Sequence, residues 1–230
     1  MKILAIETST MLGGIAVVDE INGLIAETRL NVKSTHSERL MTVIDSTLVR
    51  SELSLDDIDA FAIALGPGSF TGLRIGLSTV KGLSYATGKP MVTVPTLEAF
   101  IWNFPFSMYP VCLMLDARKG EVYSAVFRWE EGEFRKIINE LSIKPSVLMR
   151  ELKGNVIFAG EGVLLYKEQI MEIMKERAFI APPDKMVPSP ANVAMLGLSK
   201  ALRGEYAGVS ATVPFYIRKS EAEVKWSEKK

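Results

Sequence analysis

The chain has almost none of the residues that build metal sites and cross-links. It contains one cysteine, Cys112, and one histidine, His36, so neither an intrachain disulfide nor a structural zinc centre can be assembled from it. It has no excess of either charge: 27 Lys and Arg balance 27 Asp and Glu. A strong nucleic-acid binder acting alone needs a basic surface to release counterions, so that class is excluded, although a local patch is not. No apolar stretch reaches the ~18 residues of a membrane span. Glu7 interrupts the first apolar run too early for a signal peptide. The expectation is a soluble, cytoplasmic protein.

What is present suffices for a packed core. Across 230 residues, 48% are hydrophobic and 23% charged, which excludes wholesale disorder and allows one large domain or two small ones. Ile3–Ile6, Ile15–Val18 and a third run to Leu30 read as strands linked by glycine turns. A helix follows, capped by Ser34 or Thr35, with Leu40, Val43, Ile44, Thr47 and Leu48 at helical spacing. Strand 58–65, helix 73–86, strand 91–94 and a helix opening at Pro95-Thr96 complete a βββαβαβα order. The break at Phe104-Pro105 leads into the same order again, from Val111 to a helix at about 190–203. The repeat lies in element order rather than identity. It implies an α/β protein of two related lobes, 1–104 and 105–230, with a carboxylate at the end of the first strand of each: Glu7 and Asp116.

Gly66-Pro67-Gly68-Ser69-Phe70-Thr71-Gly72-Leu73-Arg74 carries the most chemistry. A strand entering a glycine loop before a helix offers free N–H groups to an anion. Gly68, Ser69, Thr71 and Arg74, with Glu7 and Thr8, are therefore the candidate nucleotide or anion contacts. The competing reading is a tight turn in which Ser69 or Thr71 caps the helix. The spacing fits neither a Walker A loop nor a nucleophile elbow. In the following helix, Ser78, Gly82 and Ala86 fall on one face, and mid-helix glycines each cost about 1 kcal/mol against Ala. Gly76 and Thr79 extend this small-residue set. With Leu40, Met41, Ile44 and Leu48 of the preceding helix, it forms the candidate partner interface; packing on the chain's own sheet is the alternative. His36 reads as a surface or capping residue and Cys112 as inert packing. The basic tail, Arg218 to Lys230 with Trp226, reads as a solvated end.

Glu7-Thr8-Ser9, the Gly66–Arg74 loop, Lys89-Pro90 and Pro214-Phe215-Tyr216-Ile217-Arg218 resemble the bacterial TsaB (YeaZ) family over essentially the whole chain. The resemblance implies an actin/sugar-kinase-like (ASKHA) fold with a duplicated βββαβα core and a reduced second lobe. It implies a part in making the threonylcarbamoyl group on tRNA adenosine, as a non-catalytic partner of the enzyme TsaD, with TsaE joining as an ATPase. The metal-binding His-x-x-x-His helix of TsaD would fall here on Thr96 and Phe100. Neither a catalytic residue nor a metal is expected, and no cofactor of its own. ATP or ADP at the complex interface is the candidate nucleotide, and tRNA is contacted indirectly. The helices starting near His36 and Leu73 would pair with TsaD or, competitively, with a second copy. The rival is a nucleotide-hydrolysing, small-molecule kinase-like enzyme using Glu7 and the glycine loop.

Overall fold

A computed structural model of the chain describes residues 1–31 and 36–218. The caps Ser34 and Thr35, and the tail from Lys219 on, lie outside the described residues, as does the side chain of His36. Two five-stranded mixed sheets carry the fold. In the first, β1 (Lys2–Glu7) lies at the centre of the order β3-β2-β1-β4-β5. The strands β2 (Leu12–Asp19) and β3 (Gly23–Asn31) form an antiparallel meander on one side of it. On the other side, β4 (Ala60–Ala64) and β5 (Met91–Val94) run parallel to it. The second sheet repeats this plan around β6 (Val111–Arg118), in the order β10-β9-β6-β7-β8. Here β7 (Glu121–Glu130) and β8 (Glu133–Ile143) are antiparallel, and β9 (Val156–Ala159) and β10 (Ala178–Ile180) parallel.

Both faces of the first sheet are buried, and strand alternation divides them by size. Leu4, Ile6, Ile15, Val17, Phe61 and Ile63 meet α1 (His36–Arg50) and α2 (Phe70–Thr87) on one face. Ile3, Ala5, Ala16, Ala60, Ala62 and Ala64 form the other, rich in alanine. This second face is covered by α7 (Pro190–Leu202), the last helix of the second repeat, through Val193, Ala194, Leu198 and Ala201. The small residues allow the helix to come close: a Cβ at Gly197 would sit 2.5 Å from that of Ala62. Ser189 and Glu27 hold the start of α7, Ser189 accepting from the Asn192 N–H and Glu27 from the Ala191 N–H. In exchange, Leu97, Phe100 and Ile101 of α3 (Thr96–Ile101) pack into the core of the second sheet. The strands thus divide around residue 104, while helices cross that boundary in both directions. The helices proper to the second lobe are short: α4 (Pro145–Glu151), α5 (Glu161–Leu165) and α6 (Lys167–Met174).

Helix glycines are consequently not equivalent. At Gly76 a Cβ would lie 2.3 Å from the Thr8 hydroxyl and 2.9 Å from Ile63, whereas at Gly82 it would meet nothing within 4 Å. Gly76→Ala and Gly197→Ala are expected to destabilise the protein by about 1–3 kcal/mol through overpacking. Gly82→Ala should stabilise it by up to about 1 kcal/mol through helix propensity. Urea unfolding midpoints of the three variants, at unchanged slope, check the opposite signs.

Candidate functional site

The turn after β1 is fully buried, and the glycine loop lies directly on it. The Ser69 N–H donates to the Ser9 carbonyl at 2.6 Å, and the Thr8 hydroxyl donates to the Gly72 carbonyl at 2.8 Å. A Cβ at Gly68 would fall 2.4 Å from the Ser9 carbonyl oxygen, and one at Gly72 only 1.9 Å from that of Thr8. The loop glycines therefore serve backbone-to-backbone contact within the chain. The Ser69 hydroxyl accepts from the Gly72 N–H at 3.3 Å, so the capping reading describes its role here. From the other side, Thr96 accepts the Gly66 N–H at 3.1 Å, and Phe100 is fully buried in the second core.

The candidate anion contacts do not form one pocket. Glu7 and Thr8 are sealed behind the loop, while Ser69, Thr71 and Arg74 are exposed on its outer side. Gly68 is the contact surface between the two groups. One Glu7 carboxylate oxygen accepts the Ser9 N–H at 2.6 Å; the other is buried without a hydrogen-bond partner among the described residues. Burial pushes the Glu7 carboxyl up to about 7, against the pull of the Ser9 bonds and with a further push from Glu161. Burial also raises Glu161, helped by Asp116 and opposed by Arg118 and by the N–H groups of Asp116 and Met11. The facing ends of β1 and β6 thus bring three acids together, with Arg118 paired to Asp116 at 3.2 Å. Phosphates placed there would meet like charge, and the loop that would cradle them is filled by Thr8 and Ser9. Glu7, Asp116 and Glu161 do not fit a nucleotide's phosphates.

The interface candidates also separate. Leu40, Ile44 and Leu48 are buried against the chain's own first sheet, so these three residues of α1 are core and are not available to a partner. Gly76 is likewise spent on the close approach to Thr8. Thr79 is half-buried and donates its hydroxyl to the Ile75 carbonyl. Met41, Ser78, Gly82 and Ala86 remain exposed, joined on α2 by Tyr85, 72% exposed, and on α1 by Val49.

The segment 214–218, marked in the sequence by family resemblance alone, is tied to the glycine loop, and Arg218 belongs to this tie rather than to a solvated end. The Phe215 N–H donates to the Leu65 carbonyl at 2.8 Å, and Tyr216 stacks on Phe70 with ring centroids 4.6 Å apart. The Arg74 guanidinium lies 3.9 Å over the Phe70 ring and donates through Nε to the Tyr216 hydroxyl at 2.9 Å. Arg218 continues to the second lobe, donating to the Ala117 carbonyl at 3.2 Å and pairing with Glu121. No periodicity marks such a strap. Its one signal in the chain is the aromatic-basic cluster Phe215-Tyr216-Ile217-Arg218. Glu161, between two glycines, carries no signal of its role either, because its neighbours Met11 and Asp116 are far away in sequence.

The model of the TsaD family, tRNA N6-adenosine threonylcarbamoyltransferase, matches residues 24–226. The tRNA threonylcarbamoyladenosine biosynthesis protein TsaB of Bacillus subtilis (strain 168) is 32% identical over 231 residues, covering 99% of each chain. The protein of the same name from Escherichia coli (strain K12) is 29% identical, covering 96% of each. YeaZ from Pseudomonas aeruginosa superposes with a TM-score of 0.76 at 25% identity, covering 94% of this chain and 99% of its own. The two-sheet architecture is the actin/sugar-kinase-like one.

The buried carboxyl has a thermodynamic signature. Between the ordinary carboxyl value of 4.5 and about 7, folded Glu7 holds a proton that the unfolded chain releases. Stability should therefore be highest below 4.5 on this account and fall as pH rises through 7, by about 3 kcal/mol in all. In Glu7→Gln that slope should vanish, leaving the smaller slope of the same sign from Glu161. Unfolding free energies at pH 5 and pH 8 for both proteins test it; equal pH dependence in the two would show that Glu7 is not the group responsible.

Proposed function

The chain belongs to the TsaB family of tRNA threonylcarbamoyladenosine biosynthesis proteins, and on that basis we propose that it is a non-catalytic cytoplasmic subunit that binds and activates TsaD. The observation that carries this reading is the exposed small-residue face of α2. Ser78, Gly82 and Ala86 lie open at successive turns, with nothing within 4 Å of the Cβ direction of Gly82. A mid-helix glycine that no internal contact requires is a cost to the isolated fold, and close approach of another helix backbone is a use that offsets it. Tyr85, Met41 and Val49 supply apolar area around that stripe. Two helices from each partner can supply the ~1,600 Å² usual for a stable complex.

Several features favour support over chemistry. The positions that resemblance aligns with the metal-binding histidines are Thr96, engaged with the Gly66 N–H, and the buried Phe100. The glycine loop is occupied by the chain's own turn, which favours a subunit with no cofactor of its own. TsaE joins the complex, tRNA is reached through TsaD, and a second copy of the chain competes with TsaD for the α2 face.

The decisive experiment is a tRNA-modification assay with TsaD and TsaE, with and without this chain. Activity should depend on the chain, and Gly82→Arg should reduce it to the level without the chain while leaving the unfolding free energy within about 1 kcal/mol of wild type. Normal co-purification of Gly82→Arg with TsaD would refute the α2 face. ATP turnover by the isolated chain, abolished in Glu7→Ala, would favour the kinase-like alternative.

A further inference from the structure

Beside the Ser78–Gly82 stripe, α2 and the C-terminal segment enclose a groove of about 230 Å³ lined by Arg74, Leu77, Ser78, Lys81 and residues 212–214. Among the described residues its lining contains two cations and no acid. Leu77, Val213 and Pro214 give it an apolar wall, and Val213 is 69% exposed.

Arg74 is exposed but held on two sides by its own chain. One face of its guanidinium is covered by Phe70 at 3.9 Å, and its Nε is fixed by the Tyr216 hydroxyl at 2.9 Å. Its two terminal nitrogens have no hydrogen-bond partner among the described residues. A guanidinium held in this way keeps its end-on fork for a carboxylate, which it can take bidentately. The entropy of ordering a long side chain has already been lost in folding, so little more is lost on binding. Lys81 contributes a second positive charge about two turns along, with a single bond to the Ser210 carbonyl at 3.3 Å.

We propose that this groove receives an acidic side chain of the partner subunit, an Asp or Glu next to an apolar residue. The carboxylate is held by Arg74 with Lys81 behind it, and the apolar neighbour lies against Leu77 and Val213. The proposal rests on the reading of α2 as the partner face and adds the chemistry that orients the partner on it. Charge complementarity argues for the acid, and Ser78, shared by stripe and groove, makes the two one continuous surface.

The test is the dissociation constant of the full chain with TsaD, measured for Arg74→Ala, Arg74→Lys, Lys81→Glu and Gly82→Arg. Truncating one member of a close interfacial charge pair should weaken binding by about 30-fold or more in Arg74→Ala. Arg74→Lys should fall between wild type and Arg74→Ala, because an ammonium keeps the charge without the fork. Lys81→Glu is the second variant: it alters a half-buried charge without releasing Phe70 or Tyr216, and it should weaken binding and flatten its salt dependence. If Gly82→Arg abolishes association while Arg74→Ala and Lys81→Glu remain within about twofold of wild type, well under the tenfold that 1.4 kcal/mol represents, the groove is overturned and the face stands. If Gly82→Arg leaves association intact, the face itself is wrong. If Arg74→Ala leaves association unchanged but weakens ADP binding by the complex, the fork serves a phosphate and the proposal is overturned.

Discussion

The contact between the glycine loop and the turn after β1 sets the rest of this molecule. Gly68 and Gly72 let one backbone lie on another at distances no side chain would tolerate. That contact anchors the first turn of α2 and is continued by Gly76 against Thr8. Once the inner face of α2 is committed this tightly, its outer face is left as an open strip of small residues. The same contact seals Glu7 from solvent and takes up the Ser69 N–H, one of the loop donors that a phosphate cradle would use. A loop that resembles an anion site in sequence is therefore an internal joint in this structure. The joint has an electrostatic cost, since an acid with one unpartnered oxygen is buried beneath it.

The lobes are bound by exchange as well as by adjacency. The alanine-rich face of the first sheet can be covered only by a helix able to approach closely, and α7 does so with Gly197 on Ala62. In return, α3 covers part of the second core. The C-terminal segment adds a third tie, from Leu65 past Phe70 and Arg74 to Ala117 and Glu121. A partner held on α2 near Arg74 would therefore touch an element joined by this strap to the turn of the second lobe. Such a link holds the outer face of α2 and the second lobe in one fixed arrangement.

Much of the architecture was legible in the chain. Strand alternation, glycine turns and helical spacing identify the repeated order, because each reflects local backbone geometry that tertiary packing reinforced here. Of the two caps offered for α2, Ser69 is the one used, as the same local rules allow. The candidate site was legible in part. Residue type singled out Glu7, the glycine loop and the Ser78–Gly82–Ala86 face, but it could not say which apolar residues of α1 were already committed to the sheet. Leu40, Ile44 and Leu48 look the same in sequence whether they meet a partner or a core.

By itself the sequence determined the two-lobed α/β plan, the poverty of metal ligands and the position of the small-residue helix face, since these depend on composition and on spacings within a few residues. Tertiary structure decided the crossing of α7 onto the first sheet, the three-acid cluster of Glu7, Asp116 and Glu161, and the hydrogen bond from Arg74 to Tyr216. Each of these joins residues tens to well over a hundred positions apart. Nothing in a local pattern encodes such meetings; they arise only when buried faces of matching size and charge close on one another.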